Sequence, residues 1–286
     1  MFADRLRRVQ ERVQAALDEA LATDPDLPVI QAMRYALRGG KRLRALLVLE
    51  GARLHDIPED EAMPAAAAVE ALHAYSLVHD DLPCMDDDDL RRGQPTVHVK
   101  WDEATAVLAG DALQTLAFEL CCDPVLGARR IDLVAALAQA AGARGMVLGQ
   151  ALDIAAESAD QPLDMDQITR LQAAKTGALI EFSAIAGAIL AGADDRPLRD
   201  YARAIGLAFQ IADDLLDVQG DPAKAGKKLG KDAAAGKATF VSLLGVDGAR
   251  QRAEELVEHA IAALAPYGQR ADNLREAARF VISRET

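Results

Sequence analysis

Apolar residues recur every three or four positions along most of the chain and alternation of period two is rare, so the pattern predicts amphipathic helices throughout. The expected fold class is all-α. Alanine, leucine, arginine and glutamate dominate and aromatic residues make up only 4%, a composition that favours helix because these side chains lose little freedom there. Pro64, Pro162 and Pro197 are expected at helix starts, and Gly51, Gly127 and Gly220 near helix ends or turns. About ten helices with connections of ordinary length result. No fixed-period repeat is present, but two helical segments resemble each other. Each leads an apolar run into Asp-Asp-Leu, at 80–82 and 213–215, with a further aspartate beyond. Two such helices facing one central cavity make a helical bundle with its site between helices. At 286 residues the chain exceeds the usual size of one core. Nothing between the motifs resembles a linker, so a single large domain over 1–286 is expected.

The first of these segments turns the reading from fold to chemistry. Between Asp80 and Asp89 six of ten residues are aspartate, with no lysine or arginine among them. Adjacent ionised carboxylates repel and raise one another's pKa, so the run needs a cation from elsewhere, and all-oxygen ligation suits magnesium. Arg91 and Arg92 follow directly, and their forked donors match phosphate oxygens. A magnesium ion that takes one or two carboxylates typically also holds substrate phosphates, so the stretch reads as a metal and diphosphate site. On an unbroken helix Asp87, seven residues on, would share Asp80's face and Asp86 would not. Pro83 interrupts that count.

Other segments carry matching groups. Gly39-Gly40 frees the backbone for a turn, and Lys41 and Arg44 are expected three apart on one face of the helix that follows, where they could grip one diphosphate. Cations at a helix start are mildly unfavourable, and a bound anion would offset that. His73 precedes Asp80 by seven residues, about 20° away in azimuth, so its ring faces the site. In the second segment Gln210, Asp213 and Asp217 fall on one face, with Asp214 about 100° away, and two carboxylates one turn apart suit a metal. Lys175-Thr176 stands in a helix otherwise built of alanine, leucine, isoleucine and phenylalanine, where a lysine reaches solvent or meets an anion. Gln150 and Asp153 are expected to belong to the cavity wall, outside the catalytic set. Of eight lysines, Lys224, Lys227, Lys228, Lys231 and Lys237 fall within 219–237 among four glycines. Beside an acidic site, in a chain of net charge −13, that basic stretch reads as a lid that closes on phosphate and excludes water.

Taken in order, GGKRLR at 39–44, HDDLPCMDDDDLRRG at 79–93, GDAL at 110–113, GQALD at 149–153, KTG at 175–177, FQIADDLLD at 209–217 and the lysine-rich stretch resemble the motifs of trans-type prenyl diphosphate synthases. The likeness is strongest to the bacterial farnesyl diphosphate synthases and runs from about Gly39 to Gly245. It implies an isoprenoid synthase fold and head-to-tail condensation of isopentenyl diphosphate with an allylic diphosphate. It further implies Asp80, Asp86 and Asp213 as ligands of Mg2+, three ions with bound diphosphate, with Asp81 behind them, Asp217 acting through water and Gln210 beside the substrate. Arg91, Lys175 and Thr176 would meet the allylic substrate, Lys227 and Lys237 would contact diphosphate, and Lys41, Arg44, His73 and Arg92 would hold isopentenyl diphosphate. The implied catalytic set is Asp80, Asp86, Arg91, Lys175, Asp213 and Lys227.

Tyr75 and Ser76, a turn or so before Asp80, would floor the cavity for the growing chain. In the family an aromatic five residues before the motif, with the two extra residues here at Pro83-Cys84, goes with fifteen-carbon farnesyl diphosphate; geranylgeranyl diphosphate is the alternative. The family continues the last lysine toward Tyr-Pro, where Phe240-Val241 stands here, and no function carries over to the final 40 residues. A homodimer is implied.

Several classes are disfavoured. Net charge −13 argues against a nucleic-acid surface. Three cysteines, an odd count, build no disulfide framework and suit a reducing compartment. The first residues are charged where a signal peptide needs an apolar core, and the apolar run at 178–192 is short and interrupted by Glu181, so no membrane span and a cytoplasmic location are expected. A terpene cyclase would have no use for a second diphosphate pocket at Lys41, Arg44 and His73. A non-catalytic partner subunit would be expected to lack one acidic motif.

Overall fold

The computed structural model describes residues 2–159, 161–219 and 238–283. The chain runs through α1 (Phe2–Ala20), α2 (Pro28–Ala36), α3 (Leu43–Leu54) and α4 (Glu59–Asp80) to a short hairpin, β1 (Leu90–Arg91) and β2 (Gln94–Pro95). It continues as α5 (Val97–Lys100), α6 (Glu103–Cys121), α7 (Arg130–Ala141), α8 (Met146–Glu157), α9 (Met165–Gln172) and α10 (Ala178–Ala191), then α11 (Arg196–Gln219), α12 (Phe240–Ala263) and α13 (Asp272–Ser283). A π turn at Ala173–Gly177 joins α9 to α10 as one rod, so the described residues form eleven rods of two turns or more, and the all-α expectation holds. The hairpin is the one departure. Arg92 and Gly93 both have positive φ, as a tight two-residue hairpin turn requires.

Three helices are apolar on nearly every face, and such helices can only be buried. α3, α4 and α10 accordingly form the centre, with buried side chains all round. Amphipathic α1, α9, α11 and α13 surround them with one apolar stripe inward, and the buried side chains from Val9 to Val281 form one contiguous core.

Punctuation by proline and glycine was read only partly correctly. Pro197 is the second residue of α11, and Pro162 precedes the capping box in which Asp164 and Gln167 cap each other's backbone N–H groups to start α9. Pro64, however, lies inside α4, which starts at Glu59. The bond it cannot make is to the carbonyl of exposed Asp60, which water can satisfy. Gly51 lies near the end of α3. It is buried in α3, where an added Cβ would lie 2.7 Å from the Ala184 carbonyl oxygen, and one at Gly187 would lie 2.3 Å from the Ala52 nitrogen. The glycines let α3 and α10 cross backbone to backbone. Gly127 does cap a turn, with φ +77°, and Gly220 lies outside the described residues.

Two stretches, Arg130–Glu157 and Met165–Ala191, have the length and hydropathy of a membrane span. The first is broken at residues 142–145 between α7 and α8. The second carries Lys175 at its middle, ion-paired to Asp153.

Candidate active site

The segment from Gly39 to Arg44 does not form the expected two-cation helix face. Arg42 has a left-handed backbone and N-caps α3, so Lys41 lies ahead of the helix. The central arginine, which the sequence reading passed over, is the structural one. Its buried guanidinium donates to Glu70 at 3.2 Å, to Gln14 at 2.9 Å and to the Leu37 carbonyl. Glu70 also accepts from the Ala45 N–H at 3.0 Å, so a carboxylate of the protein itself offsets the cations at this helix start. Lys41 and Arg44 nonetheless line one cavity of about 440 Å³ with His73 and Arg92, as the resemblance implied, walled by Phe209, Phe280 and Val281. Arg92 reaches it because position 40 is glycine, whose Cβ would stand 2.8 Å from the guanidinium. Burial and then the charges of Arg44, Arg92, Arg91 and Arg42 hold the His73 pKa well below its ordinary value. The ring is therefore neutral in a cationic pocket.

Past Asp80 the aspartate run folds back on the helix end. α4 stops at Asp80, and the chain folds back so that the Asp86 N–H donates to the Asp80 carbonyl at 2.9 Å. Asp86 is thus returned to the helix end by a turn. Burial raises the Asp80 pKa to about 6, with Asp86 and Asp81 pushing the same way and Lys175 and Arg91 opposing. Asp81 points elsewhere: it is buried and takes both forks of Arg91, with Arg91 Nη2 at 2.5 Å and Nε at 2.8 Å from Oδ1.

Opposite Asp80, polar side chains from three helices link the two aspartate motifs. Gln150 Nε2 donates to Asp80, Lys175 Nζ donates to Asp153 at 2.7 Å, and Thr176 Oγ1 donates to Gln210 at 3.4 Å. The π turn sets Lys175 and Thr176 toward this network, and such turns recur at functional sites. α8 approaches it at Gly149, where a Cβ would lie 2.1 Å from the Lys175 nitrogen. Gln150 and Asp153, assigned to the wall by sequence, are therefore in direct contact with site residues. Their i, i+3 spacing on a glycine-bearing helix was the available signal.

Asp213 is half-buried on α11, whereas neighbouring Asp214 is buried. It accepts from Gln210 Nε2 at 3.0 Å and from the Phe240 N–H at 2.8 Å. The start of α12 is thereby tied to the second motif, with Thr239 and Ser242 forming its capping box. Phe240, the departure from Tyr-Pro, is buried with its N–H engaged in this bond. Lys227 and Lys237 lie outside the described residues.

The proposed floor residues are both buried on α4. Tyr75 packs edge-on against His79 at 5.2 Å between centroids and hydrogen-bonds Gln114 of α6. His79 fits because position 110 is glycine, where a Cβ would lie 2.0 Å from its Nε2. Ser76 Oγ donates to the His73 carbonyl at 2.8 Å.

A family model of polyprenyl synthetase matches residues 28–276. The chain belongs to the polyprenyl synthetase family. The match runs past Gly245, where the sequence resemblance faded, and reaches the start of α13. The chain is 48% identical over 270 residues to the farnesyl diphosphate synthase of Escherichia coli (strain K12), covering 91% of this chain and 90% of that one. It is also similar to the crystal structure of an FPP/GFPP synthase from Zymomonas mobilis, with a TM-score of 0.90, 46% identity and 99% of both chains covered. A geranyltransferase from Helicobacter pylori, complexed with magnesium and isoprenyl diphosphate, matches with a TM-score of 0.84 and 34% identity over 98% of this chain and 97% of that one.

Polyprenyl synthetases that make prenyl diphosphates generally depend on magnesium. The residues here fit that ion by the chemistry of their donors, which are carboxylate oxygens, with the Asp80 pKa raised first by burial and then by neighbouring Asp86 and Asp81. No three His, Cys, Asp or Glu side chains among the described residues form a closed cage. That suits a metal held by one or two carboxylates with phosphate and water completing its shell.

Proposed function

We infer that the chain condenses isopentenyl diphosphate head-to-tail with dimethylallyl and then geranyl diphosphate to give farnesyl diphosphate. The observation that carries this reading is the pairing of two chemically distinct sites across α4. A cationic pocket with no acidic run lies at Lys41, Arg44, His73 and Arg92, and a carboxylate site lies at the end of the same helix. A terpene cyclase needs only the second. Fifteen carbons are favoured by Tyr75 and by the relatives named farnesyl diphosphate synthase.

In this reading Asp80, Asp86 and Asp213 hold Mg2+, three ions with bound diphosphate. When bound, the ions neutralise the charge that builds on the allylic diphosphate as its carbon–oxygen bond breaks. Lys175 and Arg91 add N–H donors to the same oxygens, and Lys227 and Lys237 extend that set. Asp153 and Gln150 hold Lys175 and Asp80 in place before substrate arrives, so little reorganisation is needed at the reacting moment. Lys41, Arg44 and Arg92 grip isopentenyl diphosphate, and neutral His73 donates or accepts a hydrogen bond without adding charge. The isopentenyl double bond attacks the allylic carbocation, and the departing diphosphate takes the proton, so no protein base is required. Apolar walls keep water from trapping the cation.

Incubation with isopentenyl diphosphate and each of dimethylallyl, geranyl and farnesyl diphosphate in magnesium, with chromatography of the products, tests the reading. Farnesyl diphosphate is expected from the first two. Cyclic hydrocarbon, or no elongation of any allylic substrate, would overturn it. A cytoplasmic homodimer is part of the same proposal, supported by exposed Val99, Val107 and Leu108 on neighbouring α5 and α6; light scattering on the purified chain checks the dimer.

A further inference from the structure

α4 shows a second face to a second cavity. Ala74, Leu77, Val78 and Asp81 follow one another at i, i+3, i+4 and i+7, each one residue on from the stripe of His73, Ser76, Leu77 and Asp80. They are turned from it by about 100°. Together with Tyr35 and Val97 they line a space of about 390 Å³ behind the arginine hairpin, within the range of about 300–1,000 Å³ usual for small-molecule sites. Ala74, Val78 and Val97 are buried, so the floor of this space is hydrocarbon.

Its rim is cationic. Arg38, Arg91, Arg92 and Lys100 line it, and the one carboxylate, Asp81, is already taken by Arg91. Lys100 Nζ stands 3.7 Å from the centre of the Tyr35 ring and 4.9 Å from that of Trp101. Among the described residues neither Lys100 nor Arg38 is ion-paired to a carboxylate. In a chain of net charge −13, four cations around an apolar floor suit a ligand that is anionic at one end and apolar at the other.

We propose that this cavity, which borders the two reaction sites through Arg91 and Arg92, is a third site and binds a phosphate or diphosphate ester with a hydrocarbon tail. Arg92 lines both this space and the isopentenyl pocket, so a ligand drawing it to one side changes affinity on the other, and the coupling is reciprocal. The proposal leans on the prenyl-transfer reading only for farnesyl diphosphate as one natural source of such an ester.

The test is calorimetric titration of the Lys41→Ala chain in EDTA, which weakens the isopentenyl pocket and removes the metal bridge from the acidic site. Farnesyl diphosphate and dodecyl phosphate are expected to saturate one site per chain, with inorganic diphosphate at least tenfold weaker. Binding of farnesyl diphosphate alone would make the enzyme's own product the ligand, and binding of both would leave the wider class of alkyl phosphates. Adding Arg38→Glu with Lys100→Glu should weaken the ester at least tenfold. In an otherwise unchanged chain the same pair should leave kcat and both KM values within twofold, which also reports folding. Should that pair be inactive, Val97→Trp, which fills the cavity from its apolar wall on α5, must abolish ester binding while turnover persists. No saturable ester binding, equal binding of inorganic diphosphate, or ester binding that survives these substitutions overturns the proposal. A chain that fails to turn over in magnesium counts against the catalytic reading alone.

Discussion

Asp80 sits where burial and neighbouring acids act against its charge, and its pKa is raised to about 6 while Asp86 presses on it from the folded-back loop. The sign of the linkage follows. The native carboxyl keeps its proton to higher pH than the unfolded one, so the metal-free protein loses stability as pH rises from about 4 to about 6. Asp80→Asn should therefore raise the Tm in EDTA at pH 7.5 relative to the parent, with the difference shrinking toward pH 4. The same change should cost about a thousandfold in kcat, about 4 kcal/mol of transition-state stabilisation. A variant that stays active, or that gains as much stability from magnesium and diphosphate as the parent, would remove Asp80 from the metal set. Lys41 belongs to the other pocket. Lys41→Ala should raise the KM for isopentenyl diphosphate at least tenfold with little change for geranyl diphosphate, and equal effects on both would end the partition. Both proposals start from the motifs. The role of Arg42 was not legible there, because only the folded chain shows which of three neighbouring cations meets buried Glu70.

At the scale of elements, α4 carries the chain-length question. Tyr75 is held by Gln114 and His79, so it forms a braced floor. Tyr75→Ala should deepen the cavity and shift product toward geranylgeranyl diphosphate, and Ser76→Phe should shorten it toward geranyl diphosphate, read by chromatography of dephosphorylated products. An unchanged product distribution in both variants would place the floor on other residues. The crossing of α3 and α10 sets how closely the central helices approach. Gly187→Ala puts a methyl 2.3 Å from the Ala52 nitrogen, and it should destabilise by about 1–3 kcal/mol or more. A denaturant midpoint equal to the parent's would show that the crossing can relax. Periodicity located both helices, and Gly51 does lie near the end of α3, but its second role, letting α10 approach, was not legible. A glycine needed for close approach and one needed for a turn look alike in sequence.

Across the whole molecule, α13 closes the isopentenyl pocket with Phe280 and Val281. It is fastened from far away in sequence: Asn273 donates to buried Glu50 at 3.1 Å, and Tyr201 donates to the Leu274 carbonyl at 2.7 Å. Glu50 also receives Arg5 at 2.7 Å and Arg53 at 2.8 Å, so one carboxylate gathers α1, α3 and α13. Glu50→Ala would leave those donors without their acceptor, at a cost of about 3–5 kcal/mol. A lowered Tm together with a raised KM for isopentenyl diphosphate is expected. A KM that does not move while the Tm falls would show that α13 keeps its place by apolar packing alone.

The sequence by itself determined the helical class, because a period of 3.6 with few β-branched alternations has one good solution. It also determined the chemistry, not through one acidic run, which alone is more often a solvated loop, but through a second matching run and the order of the family motifs around both. Tertiary structure decided the placements that depend on contacts between distant residues. It folded the aspartate run from Asp86 to Asp88 back on the helix end, bound Asp81 to Arg91, set Arg42 inside and Lys41 outside, and brought α13 to a pocket some two hundred residues earlier. A local pattern fixes which face of one helix is apolar, but the neighbour that covers that face is chosen by packing, and packing is a property of the assembled bundle.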